Sequence, residues 1–170
     1  AVIPFMSGLE SGVMRGLFLP DNSLLVGQTG RGWQAKGGHV AALQRIRYDG
    51  ETVAPAIKSV NVTESGFKLS LTQPLKKALL DGSVLVRSWV YRDAPDYGSP
   101  EMDQRDESVK VRLSDNGTSL RVTLDSTEQT QVHPQQTARV YQITLAEGLF
   151  GDQSPPLSAF YSLWQFAESP

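Results

Sequence analysis

Residues 109–124 read Val109-Lys-Val-Arg-Leu113-Ser-Asp-Asn-Gly-Thr-Ser-Leu120-Arg-Val-Thr-Leu124. Val109, Val111 and Leu113 alternate with Lys110 and Arg112, and Leu120, Val122 and Leu124 alternate with Arg121 and Thr123. A period of two places one face of each run against a core and leaves the other in water, the pattern of a half-buried strand. Asp115-Asn116-Gly117 separates the runs. Asn-Gly tolerates positive φ at both central positions, so the stretch predicts a tight hairpin. The same alternation recurs at Phe67-Leu69-Leu71 and Tyr141-Ile143-Leu145. Ser65-Gly66 is the turn signal between the run ending at Thr63 and the strand from Phe67.

One run departs from the period. Val84 to Tyr91 is apolar on both sides, with Val84, Val86 and Val90 on one and Leu85, Trp89 and Tyr91 on the other. Two dry faces predict a central strand. The expectation is that the face carrying Trp89 is the core, with the ring filling its volume. Leu75 to Leu80, just after Pro74, has the composition for about one helical turn, too short to hold without tertiary packing.

The first fifty residues are organised differently. Met14–Leu19 and Leu24–Val26 are short strand signals joined by Pro20-Asp-Asn-Ser23. A loop with Gly27, Gly30, Gly32, Gly37 and Gly38 leads to a third strand, Leu43–Tyr48. Three short strands with a long glycine loop make a poor domain alone but most of one propeller blade, whose edges need neighbouring blades. The expected organisation is a blade-like segment over residues 1–52, a linker at Glu51–Pro55, and a β-sandwich over residues 53–170. The fold class is all-β, with an immunoglobulin- or fibronectin-like sandwich.

Composition narrows the function. The chain has 170 residues, 16 basic against 18 acidic, and a net charge of -2, which argues against a nucleic-acid partner. It has no cysteine, so disulfides, thiolate metal sites and thiol nucleophiles are excluded. Its two histidines, His39 and His133, lie far apart, and no serine occupies a Gly-x-Ser-x-Gly elbow, so a catalytic triad is unsupported. His133-Pro134 reads as a loop. No apolar run approaches the ~20 residues of a membrane span. The start at Ala-Val-Ile-Pro suggests a processed chain or part of a longer one. The Gly27–Gly38 loop lacks the spacing and the following helix of a phosphate cradle.

Gly12-Val-Met-Arg-Gly-Leu-Phe-Leu-Pro-Asp-Asn-Ser-Leu-Leu-Val-Gly27, Arg31-Gly-Trp33 and Ala42-Leu-Gln-Arg-Ile-Arg-Tyr48 resemble the last blade of bacterial sorbosone-dehydrogenase-like β-propellers. These are PQQ-type sugar dehydrogenases by usual description. Gly66–Leu75, Ser88–Arg92, Tyr97–Glu101 and Leu113–Leu120 are similar to the sandwich that trails that propeller in large secreted bacterial proteins. The resemblance implies a secreted or periplasmic location. It implies PQQ or Ca²⁺ for the parent protein and no cofactor in this chain, with the remainder of a propeller, or another chain, as partner. It also suggests that Arg15, at the opening of the first blade strand, and Arg31, in the glycine loop, face an anionic cofactor or a sugar acid. The bland alternative is that both are solvated or pair with a neighbouring blade.

A second candidate comes from the residues themselves. Trp89, Tyr91 and Tyr97 lie close in sequence to Asp93, Asp96, Glu101, Asp103, Asp106 and Glu107. Flat rings that cover a pyranose face, with carboxylates that accept from its hydroxyls, would bind carbohydrate. The same acids could ligate Ca²⁺, although they do not follow the EF-hand register. The alternative is that Trp89 and Tyr91 belong to the core. Three functions follow: a non-catalytic structural or docking portion of a propeller protein, a carbohydrate-binding module using Trp89, Tyr91, Tyr97 and Asp96, and part of a sugar or alcohol dehydrogenase completed by another chain.

Overall fold

The computed structural model describes residues 1–31, 38–92, 94–95, 98–125 and 138–164. It is all-β, with three antiparallel sheets and no helix among the described residues. No helix is long and apolar enough to cross a membrane. The chain divides into two units, Phe5–Thr52 and Val53–Pro170, and the second also takes Ala1–Pro4.

The smaller unit is a three-stranded meander of β1 (Gly12–Phe18), β2 (Leu24–Thr29) and β3 (Ala41–Ile46). The Pro20–Ser23 turn is built by Asp21, whose Oδ1 accepts from Ser23 N at 3.2 Å and Ser23 Oγ at 2.6 Å, and by Asn22 at φ 61°. Those hydrogen bonds hold the Asp21 carboxyl below its ordinary range. Ser11 N and Gln44 are tied through Gln28, whose Oε1 accepts at 2.7 Å and whose Nε2 donates at 2.8 Å. Among its described apolar residues only Val26 is buried.

The larger unit holds β4 (Ile57–Thr63), β5 (Gly66–Leu71), β6 (Val84–Val90), β7 (Met102–Glu107), β8 (Val109–Leu113), β9 (Ser119–Leu124), β10 (Arg139–Leu145) and β11 (Leu157–Leu163). They form two four-stranded sheets, ordered β4-β5-β9-β8 and β11-β10-β6-β7. Each alternating run presents its predicted dry face. Phe67, Leu69, Leu71, Leu120, Val122 and Leu124 from the first sheet share one buried cluster with Val84, Val86, Tyr141, Ile143, Leu145 and Ala159 from the second. Each of the larger aliphatic and aromatic side chains here contributes roughly 1.5–3 kcal/mol, so this cluster fixes which face of every strand turns inward. A one-residue slip would expose a whole face.

Three local expectations change. The β8–β9 hairpin forms, but not as a two-residue turn. Ser114 N donates to Ser119 O and Gly117 N to Ser114 O, and only Gly117, at φ 70°, is left-handed. Asn116 stays right-handed because its Oδ1 already accepts from Ser114 Oγ, Thr118 N and Thr118 Oγ1. Leu75–Leu80 forms no helix; Leu75 N donates to Gly117 O, and Lys76 N and Lys77 N to Leu149 O, so tertiary bonds to two other loops hold the segment. The third change concerns β6. It is interior, between β10 and β7 as expected, yet its core face is Val84 and Val86 and not the side of Trp89.

Gly66 shows how tightly β5 meets β9. A Cβ at this position would stand 2.0 Å from the Val122 carbonyl oxygen. Gly66→Ala should therefore displace β9 and cost more than about 1 kcal/mol, read as a lowered denaturant midpoint at unchanged m-value. The same substitution at Gly8, which has open space around it, should cost only its backbone strain.

Candidate functional site

The aromatic candidate lies on the outer face of the β11-β10-β6-β7 sheet. Trp89 stands opposite Val140. Its ring meets Tyr91 and Phe160 edge-on at centroid distances of 6.3 and 6.4 Å. The Arg87 guanidinium sits 5.6 Å from its centroid and is held by Glu101 at 2.9 Å. These neighbours cover Trp89 to 3% exposure, so it offers no open stacking surface. Its Nε1 is buried with no hydrogen-bond partner among the described residues. Tyr91 is half-exposed and free to contact a ligand. Tyr97, Asp96 and Asp93, like His133, lie outside the described residues.

On the inner face of the same sheet is a polar centre that sequence reasoning missed. Arg139, 2% exposed, donates through Nε to Ser88 Oγ at 3.2 Å and through Nη1 to Asp103 Oδ2 at 2.7 Å. Its Nη2 donates to the Asp103 carbonyl. Ser88, fully buried, donates its hydroxyl to Glu107. The geometry comes from β7. Register with β6 shifts between Ser88 and Val90, and Asp103 adopts φ 48° at that irregularity. A bulge re-aims a side chain, here turning the Asp103 carboxylate towards Arg139. Hydrogen bonds from Arg139 and then Arg105 hold the Asp103 carboxyl below its ordinary value. A buried guanidinium must be paired to be tolerated, so this network is a structural lock on the β6–β7–β10 register. The missed signal was parity: Arg139 shares its side of the strand with Tyr141, Ile143 and Leu145.

The arginines suggested by the resemblance do not converge. Arg15 is exposed on β1 opposite Gly27. Arg31 is exposed, with its backbone N donating to Thr29 Oγ1 at 3.1 Å. No hydrogen bond or ion pair joins the two among the described residues. Nor do three or more His, Asp or Glu side chains gather there to hold a metal ion. No chemistry is assigned to PQQ or Ca²⁺.

A groove of about 710 Å³ runs beside the β6 end that β7 leaves uncovered, lined by Leu79, Asp81, Leu85, Arg87, Asp106 and Val111 among others. Neither Trp89 nor Tyr91 lines it. Comparison with known protein families, with characterised proteins and with solved structures gives no match.

Two outcomes follow. Trp89→Ala should destabilise the larger unit by roughly 3–5 kcal/mol, whereas Trp89→Phe, which removes the unpartnered N–H and keeps most of the ring, should cost less. A thermal melt of Trp89→Ala within a degree or two of wild type would show the ring to be dispensable. Asp103→Asn should lower the melting temperature at neutral pH. Because the folded Asp103 carboxyl titrates below its unfolded value near 3.8, its contribution is complete above that value and is lost as pH falls through the folded one. The gap between wild type and Asp103→Asn should therefore close on acidification.

Proposed function

We propose that this chain is a non-catalytic structural or docking portion of a secreted or periplasmic propeller protein of the dehydrogenase type. The observation that carries the reading is the bare apolar surface of the β1–β3 sheet. Leu17 on β1 and Leu43 on β3, on one face of the sheet, are 60% and 69% exposed, and Phe18, on the opposite face, is 74% exposed. Exposed apolar surface on this scale marks an interaction site. Among the described residues no strand lies beyond the outer edges of β1 and β3 in the sheet, and open edges pair with available chain. Both features suit blade material that neighbouring blades would cover on either side.

The larger unit suits the second half of the reading. Its strand orders β4-β5-β9-β8 and β11-β10-β6-β7 support this reading, since they would correspond to the A-B-E-D and G-F-C-C′ orders of an immunoglobulin-type sandwich. It departs from antibody domains in having no cysteine pair and in a Trp on the C-like strand that faces away from the core. A fibronectin-like sandwich, which needs neither, is the nearer comparison. Such a body would stiffen the junction between parts of a larger protein. The carbohydrate-module reading is weaker, because Trp89 is covered. The reading as a dehydrogenase completed by another chain shares the docking surface and adds chemistry that the partner would bring.

The test is the state of association. The full chain should self-associate or bind added propeller material in light scattering after size exclusion. Leu17→Lys with Leu43→Glu should release it as a monodisperse monomer with the melting temperature of the larger unit unchanged. A wild-type chain that is monomeric at every concentration, with slow amide exchange throughout β1–β3, would overturn the reading.

A further inference from the structure

The outer face of the other four-stranded sheet carries a row of like charges. Lys68 on β5 stands opposite Arg121 on β9, and Arg121 stands opposite Arg112 on β8. All three are exposed, and none makes an ion pair or side-chain hydrogen bond among the described residues. By contrast Lys110, the next outward residue on β8, is neutralised by Asp125 at 2.8 Å. Like charges directly opposite each other across strands are destabilising. Three in succession on a chain with more acids than bases are a cost that the fold does not need. The outward neighbours Asn61, Ser70, Ser119 and Thr123 are neutral, so no acid on these strands offsets the row.

The row borders a shallow depression of about 400 Å³ that Ser114, Asn116 and Ser119 also line. We propose that this face binds a linear uronate polysaccharide, one carboxylate to each cation. Neighbouring strands are about 4.8 Å apart, close to the rise of one hexose unit in an extended pyranose chain. The row is therefore about as long as a stretch of as many rings as it has cations. The two guanidinium groups can take carboxylates bidentately, and the serine hydroxyls and the Asn116 amide suit the ring hydroxyls. A nucleic acid fits less well, because no aromatic side chain lines the depression for bases to stack on. The proposal does not depend on what the β1–β3 surface or Trp89 binds.

The test uses the full chain with polygalacturonate, neutral dextran, dextran sulfate and single-stranded DNA as separate probes. Polygalacturonate should bind at low ionic strength and be released by salt, while neutral dextran should not bind. Lys68→Gln, Arg112→Gln and Arg121→Gln together should weaken polygalacturonate binding by about tenfold or more, as expected for three charge contacts. Their melting temperature should be equal to or above wild type, because the substitutions relieve repulsion. A control with the same charge change elsewhere, Arg47→Gln, Arg92→Gln and Lys76→Gln, should bind as wild type does. Equal losses in the two triple variants, no binding of polygalacturonate by wild type, or preferential binding of dextran sulfate or DNA would each overturn the proposal.

Discussion

Phe67 joins the two sheets of the larger unit. It projects from β5, is completely buried, and meets Tyr141 of β10 at 5.1 Å and Tyr161 of β11 at 5.6 Å between ring centroids. Tilted aromatic pairs at these distances contribute about 0.5–1.5 kcal/mol beyond the area they bury. Their larger effect is on register. With Phe67 inward, Leu69 and Leu71 must also face inward, and Lys68 must face water. Through the pairing of β5 with β9, Leu120 and Val122 follow, and Arg121 is turned out beside Lys68. The charged row and the core are thus two results of one packing choice.

Much of this was legible because alternation is a strong signal. Phe67-Lys-Leu-Ser-Leu71 and Tyr141-Gln-Ile-Thr-Leu145 have one way to lie on a core, and the structure adopts it. β6 was harder for a physical reason. With both faces apolar, composition marks it as interior but cannot say which side meets the other sheet. The larger ring suggested the core, yet Val84 and Val86 fill it, and Trp89 is covered by Tyr91, Phe160 and Arg87 on the far side. The Asn-Gly hairpin was right in place and wrong in type, because side-chain hydrogen bonds to Asn116 compete with the left-handed conformation that the dipeptide favours. Local alternation marks Arg139 as inward-facing, but its contact with Asp103 depends on a bulge and spans two strands distant in sequence, so the partner is not legible.

β6 reverses the usual assignment of polar and apolar groups over its last turns of pleat. Its inner face there carries Ser88 against a buried guanidinium, while its outer face carries a buried indole. Each arrangement is tolerated for a different reason. The guanidinium keeps its carboxylate and carbonyl partners from Asp103, and the indole keeps its ring contacts at the expense of an unpartnered N–H. Both features specify where β6 stops sliding against β7 and β10, a task that interchangeable valines perform poorly.

Val2 and Phe160 exchange two backbone hydrogen bonds, Val2 N to Phe160 O at 2.7 Å and Phe160 N to Val2 O at 2.8 Å. Almost the whole sequence lies between the two partners, and the Phe5–Thr52 unit is looped out within that span. During synthesis Val2 precedes β11 by almost the whole of this sequence and must wait for it. The β1–β3 meander, whose contacts are local, can form in the meantime, since short-range pairings close faster than long-range ones. Closing the bridge then ties the meander to one body at both its ends. The order of events is then local pairing in β1–β3 first and the long-range bridge last, so the N-terminal strand partner of β11 is the slowest pairing of the larger unit to close.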